Sequence, residues 1–215
     1  IDLAYDTIDP RPVFSSLEHV FSQAAAEKEL DFKVEIDSAF PSAIVTDETR
    51  LRQVLMNLAG NAMKFTHSGS VRVSVSSTSV DNRAIDMMIA VTDTGIGIAP
   101  DQLDRIFNAF EQQEGQSVNE YGGTGIGLAL TKWLVHAMDG EISVESELGK
   151  GSRFEVVLKR VNLPGESSDF DLAVLGDPAT LGEAIREKLP ELIAALEGEH
   201  EQWQTISEGF AIDEV

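Results

Sequence analysis

The sequence predicts an α+β fold in which helices are layered on one face of a sheet of antiparallel strands. Three observations carry this. Three segments repeat apolar residues at the helical period, and several others alternate apolar and polar residues or run apolar between turn signals. The order in which helices and strands follow one another suits a layer of helices on a sheet. No internal repeat or low-complexity tract interrupts the pattern.

The elements follow in chain order. From Pro10 to about Leu30, the residues Val13, Phe14, Leu17, Val20, Phe21, Ala24 and Ala25 share one helical face. Phe32, Val34 and Ile36 alternate with polar residues, as a half-buried strand requires. Asp47 is suited to cap a second helix whose buried stripe is Leu51, Val54, Leu55, Leu58, Ala62 and Phe65. Val71, Val73 and Val75 mark the next strand; Asp81-Asn82 make a turn, and Ala84 to Val91 run as a mostly apolar strand. From Thr92 to Gly127 the chain is irregular and glycine-rich, with a short helix expected around Asp101 to Phe107. Leu128 to Met138 reads as a helix in which His136 packs near Leu134 and Met138. Ile142/Val144 and Phe154/Val156/Leu158 supply two closing strands around Gly149 to Gly151.

Composition narrows the function. The 215 residues are 42% hydrophobic and 25% charged, ordinary for a globular protein. The chain has no cysteine, which excludes disulfides, thiolate-bound zinc and thiol catalysis, and its four histidines lack metal-ligand spacing. No apolar run approaches the roughly 18 residues of a membrane span, and Ile1 to Asp9 lack the features of a signal peptide. A first residue other than Met points to an excised fragment, expected to be cytoplasmic, with any membrane anchor upstream. The formal net charge of −21 disfavours nucleic acid and anionic lipid as partners. A site for an anionic ligand must then be built locally, from backbone N–H groups and a few placed cations. Residues 1–164 hold 14 basic and 24 acidic side chains, while residues 165–215 hold two and 13. That shift follows Leu163-Pro164-Gly165 and marks a boundary, beyond which an acidic helical connector to a downstream module is expected. A linker without fixed structure is the other reading of that tail.

Three constellations carry chemistry. Asn57, Asn61 and Lys64 stand at i, i+4 and i+7, so they share one face of the second helix beside its apolar stripe. Amide oxygens suit Mg²⁺ and an ammonium suits phosphate; spacing alone leaves open a solvated helix edge. Asp93-Thr94-Gly95-Ile96-Gly97-Ile98 follows an apolar strand. The glycines permit a sharp turn and close approach of a flat ligand, and the Asp could accept from an exocyclic amine, or simply cap its own turn. Tyr121-Gly122-Gly123-Thr124-Gly125-Ile126-Gly127-Leu128 opens a helix and offers an anion nest of backbone N–H groups. A dinucleotide fingerprint fails here, because the preceding Glu111 to Glu120 is polar rather than a strand, and no Walker A motif occurs.

In order and combination, Asn57…Asn61-Ala62…Lys64-Phe65, Asp93-x-Gly95-x-Gly97, Phe107…Phe110, Gly122-Gly123-Thr124-Gly125-x-Gly127-Leu128 and Gly149-x-Gly151-Ser152-x-Phe154 resemble the N, G1, F and G2 boxes and closing strands of sensor histidine kinases. The resemblance spans about residues 10–160. It implies the GHKL-type Bergerat fold, a two-layer α/β sandwich with a mixed, mostly antiparallel sheet covered on one face by helices. It implies ATP and Mg²⁺ as ligands. Asn61 would hold Mg²⁺; Asn57 and Lys64 would act on the phosphates as the catalytic pair; Asp93 would accept from the adenine amino group. Phe65 would stack on the purine, with Ile98, Leu128 and Phe154 lining its pocket and Ser152 at its edge. Gly95, Gly97, Phe110, Gly123, Thr124, Gly125 and Gly127 complete the set, with Glu111 to Gly123 as a lid.

The resemblance also implies partners: a dimerisation and histidine-phosphotransfer domain of the same kinase, and a response regulator or a receiver domain as in hybrid kinases. None of the four histidines stands in an acceptor motif, so the chain is expected to bind ATP without phosphorylating itself. One departure concerns the lid. Val118-Asn119-Glu120-Tyr121 stands where the family carries a basic residue, a change expected to weaken nucleotide affinity by ~1–3 kcal/mol unless Arg105 or Lys132 compensates. The rival readings are a GHKL ATPase, an anti-sigma-type serine kinase, and a nucleotide-sensing docking module without kinase activity. The ATPases carry a Glu base at the position of Asn57, and an amide cannot take a proton.

Overall fold

A computed structural model describes residues 3–103, 105–108 and 127–164, all within the first of two units into which the chain divides, Ile1–Glu166. Phe110, Gly123, Thr124 and Gly125, the expected lid, and the acidic extension of residues 165–215 lie outside the described residues.

Among the described residues, three α-helices and seven strands make two layers. The strands are β1 (Asp6–Ile8), β2 (Leu30–Ile36), β3 (Ile44–Thr46), β4 (Gly69–Ser79), β5 (Ala84–Asp93), β6 (Gly140–Glu147) and β7 (Gly151–Asn162). The helices are α1 (Arg11–Glu27), α2 (Glu48–Phe65) and α3 (Gly127–Ala137). The sheet runs β1-β3-β7-β5-β4-β2, with β6 on the remaining edge of β7. Among the described strands, only β2 and β4 pair in parallel, and the other pairings are antiparallel. The mixed, mostly antiparallel sandwich is therefore the one expected.

The sheet's alternation places its core. Val71, Val73 and Val75 of β4, Met87, Ile89 and Val91 of β5, and Phe154, Val156 and Leu158 of β7 are all buried. They meet Val13, Phe14, Leu17 and Phe21 from α1, Leu51, Val54, Leu55 and Leu58 from α2, and Leu134 and Val135 from α3. Glu29 and Asp139, both at φ 57°, turn the chain out of α1 and α3 and directly into β2 and β6.

Asp47 caps α2 as expected: one carboxylate oxygen accepts from the Arg50 N–H at 2.9 Å. The other accepts from the Ala4 N–H at 2.9 Å, tying the segment before β1 to the start of α2. Asp47→Ala removes both bonds from a site that is 4% exposed. It is expected to cost about 1–2 kcal/mol, read as a lower urea midpoint with an unchanged slope; an unchanged midpoint would show that the cap contributes nothing.

Five expectations need correction. Val20 and Ala24 are exposed, off the α1 stripe of Val13, Phe14, Leu17, Phe21 and Ala25. His136 is exposed: the buried positions are Thr131, Leu134, Val135 and Met138, and a residue two beyond Leu134 is rotated off that stripe. Phe65 ends α2 only part-buried, its place in the stripe taken by Ala59 and Met63. The helix around Asp101 to Phe107 is a 3-10 turn at Pro100–Gln102, followed by an i→i+3 bond from the Arg105 N–H and an i→i+4 bond from the Ile106 N–H to the Gln102 carbonyl. β1 and β3, three residues each, were not anticipated.

Candidate functional site

The sequence-predicted residues within the described chain gather at one end of the sandwich. They come from the C-terminal half of α2, the loop after β5, the first turn of α3 and the start of β7. Three junctions hold these pieces together.

The first joins the glycine loop to α2. The Ile96 N–H donates to the Phe65 carbonyl at 3.2 Å, satisfying a carbonyl left unpaired at the helix end. A side chain at Gly95 would bring a Cβ within 3.0 Å of that carbonyl and of the Asp93 carboxylate, so only glycine permits the approach. On its other flank the loop is tied to β4: the Thr94 N–H donates to the Ser70 carbonyl at 3.1 Å, and the Ser70 N–H donates to Thr94 Oγ1 at 2.9 Å. Lys64 and Phe65 lie beside it, with the Lys64 ammonium 5.0 Å from the centre of the Phe65 ring.

The second junction fixes Asp93. It ends β5 opposite Ser152 of β7 and is 7% exposed. Its carboxylate accepts from the Gly95 N–H at 2.8 Å. Burial pushes its pKa above the ordinary carboxylate range, against the stabilising backbone N–H groups of Gly95 and Ser152. The result is a rigid, poorly solvated acceptor at a strand end. Ser146 of β6 connects this corner to the rest of the loop: its hydroxyl accepts from the Ile98 N–H at 2.8 Å, donates to the Gly151 carbonyl at 2.8 Å, and lies 3.0 Å from Ser152 Oγ. Gly97, at φ 67°, packs against the Glu147 carbonyl at the same edge.

The third junction joins α2 to α3. Asn57 Nδ2 donates to Thr131 Oγ1 at 2.6 Å, and a Cβ on Gly127 would lie 2.6 Å from Asn57 Oδ1. Asn61, one turn further along α2, is part-buried on the same helix face. Ile98 and Leu128 are part-buried against the core, and Phe154 is buried with Phe107 packed edge-on at 6.4 Å. The Lys132 ammonium lies 5.3 Å from the Phe107 ring centre.

The structure thus brings together Asn57 with Gly127, Phe65 with Gly95, and Asp93 with Gly95 and Ser152. Thr94, Thr131 and Ser146 were missed by sequence reasoning. Each acts through a bond to a residue distant in sequence; Thr94 stands within the glycine motif without being marked by it, and Thr131 and Ser146 belong to no motif. Chemically, the corner offers a buried acceptor for an amine, apolar walls, neutral amides for a hard cation and an ammonium for an anion. Among the described residues no cluster of three or more His, Cys, Asp or Glu could hold a metal ion.

Comparison with known proteins places this arrangement. The family model described as histidine kinase-, DNA gyrase B- and HSP90-like ATPase matches residues 46–162. Hybrid signal transduction histidine kinase L of Dictyostelium discoideum is 37% identical over 172 residues, covering 79% of this chain and 10% of that protein. The signal transduction histidine-protein kinase BarA of Escherichia coli K12 is 36% identical over 148 residues, covering 67% of this chain and 16% of that protein. Among solved structures, full-length ShkA in complex with AMPPNP superposes with a TM-score of 0.66 at 35% identity, over 77% of this chain and 33% of that one. The chain therefore spans well under a fifth of the length of these curated relatives.

Proposed function

This chain belongs to the histidine kinase-, DNA gyrase B- and HSP90-like ATPase family, and from that premise we propose that it is the ATP-binding catalytic domain of a hybrid-type two-component sensor histidine kinase. The observation that carries this reading is Asn57: its amide donates to Thr131 and lies against the first residue of α3. An amide there has no basic atom to activate water, which favours transfer to a nucleophile carried elsewhere over hydrolysis. The histidine kinase relatives support the same choice.

In this reading Asp93 accepts from the adenine amino group, its position set by the Gly95 and Ser152 N–H groups. Phe65, Ile98, Leu128 and Phe154 form the apolar walls, and Ser152 fixes the adenine edge. Asn57 and Lys64 act on the phosphates, with the Gly123-Thr124-Gly125-x-Gly127 segment as the anion nest. Asn61 would hold Mg²⁺. The donor chemistry fits, because hard cations take amide and phosphate oxygens, and no carboxylate cage stands among the described residues. When bound, Mg²⁺ neutralises charge on the phosphates. The residues' own contribution is placement, which supplies up to about 7–11 kcal/mol of a barrier. A nitrogen of the acceptor histidine forms the new N–P bond as the bond to the ADP oxygen breaks. That histidine lies on the dimerisation and phosphotransfer domain, and a receiver domain or response regulator takes the phosphoryl group onward. Residues 1–164 form the catalytic domain and residues 165–215 the connector.

Titration of ATP into the chain, with and without Mg²⁺, tests the reading. Binding is expected to strengthen with Mg²⁺, and Asn61→Ala to remove about a tenfold gain, roughly 1.4 kcal/mol, without affecting Mg²⁺-free binding. Release of ADP and phosphate at enzymatic rates would replace the kinase reading with an ATPase. No binding would favour a docking module, a reading that the acidic Glu120 in the lid supports.

A further inference from the structure

We propose that Thr131 is a positioning residue for Asn57, holding the Asn57 amide where it acts on the phosphates; this rests on the nucleotide reading above. An asparagine side chain has torsions free to turn, and ordering them when a ligand binds costs free energy. An unfixed amide is therefore a poor ligand for the phosphate end of a site. Here the amide is held from below. Asn57 Nδ2 donates to Thr131 Oγ1 at 2.6 Å, and Thr131 is 1% exposed, so water does not compete for the bond. The amide oxygen is then left at the first residue of α3, 2.6 Å from where a Cβ on Gly127 would stand.

The spacing within α3 makes the seat. Gly127 and Thr131 are four residues apart and therefore stack on one helix face. The glycine leaves room for the Asn57 side chain, and the threonine provides its partner one turn below. Seventy-four positions separate Asn57 from Thr131 in sequence. The bond therefore also ties the geometry of α2 to the helix that follows the glycine-rich loop. A buried threonine that merely satisfied itself in helix packing would affect stability alone; a positioning residue acts on ligand binding through Asn57.

A double-mutant cycle on this chain separates the two. ATP with Mg²⁺ and, separately, adenosine are titrated into the unaltered chain, Thr131→Val, Thr131→Ser, Asn57→Ala and the Asn57→Ala/Thr131→Val pair, with thermal unfolding of each. Thr131→Val keeps the shape and loses the acceptor. It is expected to weaken ATP binding roughly tenfold and to leave adenosine binding unchanged. Thr131→Ser is expected to restore ATP affinity, and Thr131→Val to add nothing once Asn57 is alanine. Unaltered ATP affinity in Thr131→Val would overturn the proposal while leaving the nucleotide site intact. So would an equal loss in the Asn57→Ala background or for adenosine. Failure of the unaltered chain to bind ATP overturns the nucleotide reading and this proposal with it.

Discussion

Asp93→Asn is expected to weaken ATP binding by about a hundredfold, in line with ~1.5–3 kcal/mol for a hydrogen bond to a charged group. The substitution keeps the shape and an oxygen for the Gly95 N–H, which approaches the native carboxylate at 2.8 Å. What changes is the other atom: an NH₂ then faces the adenine amino group, donor against donor. The same logic gives a pH dependence. Burial holds the Asp93 pKa above the ordinary carboxylate range. Affinity should therefore fall on acidification at a pH above the usual Asp value near 3.9, as the acceptor gains a proton; Asp93→Asn should lack this step. The effect on folding has the opposite sign. A carboxyl whose pKa is raised on folding contributes stability that is fully present below its unfolded pKa and is lost as pH rises through the folded one. The free Asp93→Asn protein should therefore melt no lower than the unaltered chain at neutral pH. ATP affinity within threefold of the unaltered chain, or a melting temperature well below it, would remove Asp93 from the proposed role.

How much was legible follows from the range over which each feature is encoded. α2 announces itself locally: Asp47 caps it, and Leu51, Val54, Leu55, Leu58 and Ala62 repeat at the helical period. β4 does so through Val71, Val73 and Val75, all on the buried face. β1 and β3 could not be read in this way. Each has three residues, too few for alternation, and each is a strand through its pairing, Asp6 with Thr46 between the two and Val45 with Asn162 of β7. His136 stands near Leu134 and Met138 in sequence but on a different face of α3, a distinction that proximity alone does not make.

The site divides along the same line. Asn57, Asp93 and Gly95 stood out by residue type and spacing. Ser146 did not, although it binds the Ile98 N–H across 48 residues and the Gly151 carbonyl within its own hairpin. Serine in a strand is common, and nothing about its neighbours marks it. Motif residues are those whose chemistry is rare for their place in an element. The residues that hold them still have ordinary chemistry for their place, and only the folded arrangement reveals them.

Gly151→Ala should be the most damaging single-methyl addition in this corner, destabilising the fold by about 3–5 kcal/mol. Two costs combine. The backbone there sits at φ 107°, outside what an L side chain adopts readily. An added Cβ would also lie within 3.0 Å of the Asp93 carbonyl and of Thr94 Cα, both backbone atoms that no rotamer change can move. Relief requires β5 and β7 to part where Asp93 faces Ser152, which would also loosen the Ser152 N–H from the Asp93 carboxylate. ATP affinity should therefore fall together with stability. The neighbouring Gly149 provides the control. It too has a positive φ, 80°, but a Cβ there would meet nothing within 4 Å, so Gly149→Ala should cost only the backbone strain, ~1–2 kcal/mol, and leave ATP binding intact. Urea denaturation of the two variants separates close approach from backbone strain. A gap of less than about 1 kcal/mol between them would mean that the β5–β7 contact at Asp93 yields easily, and that the rigidity assigned to this carboxylate must come from the Gly95 bond alone.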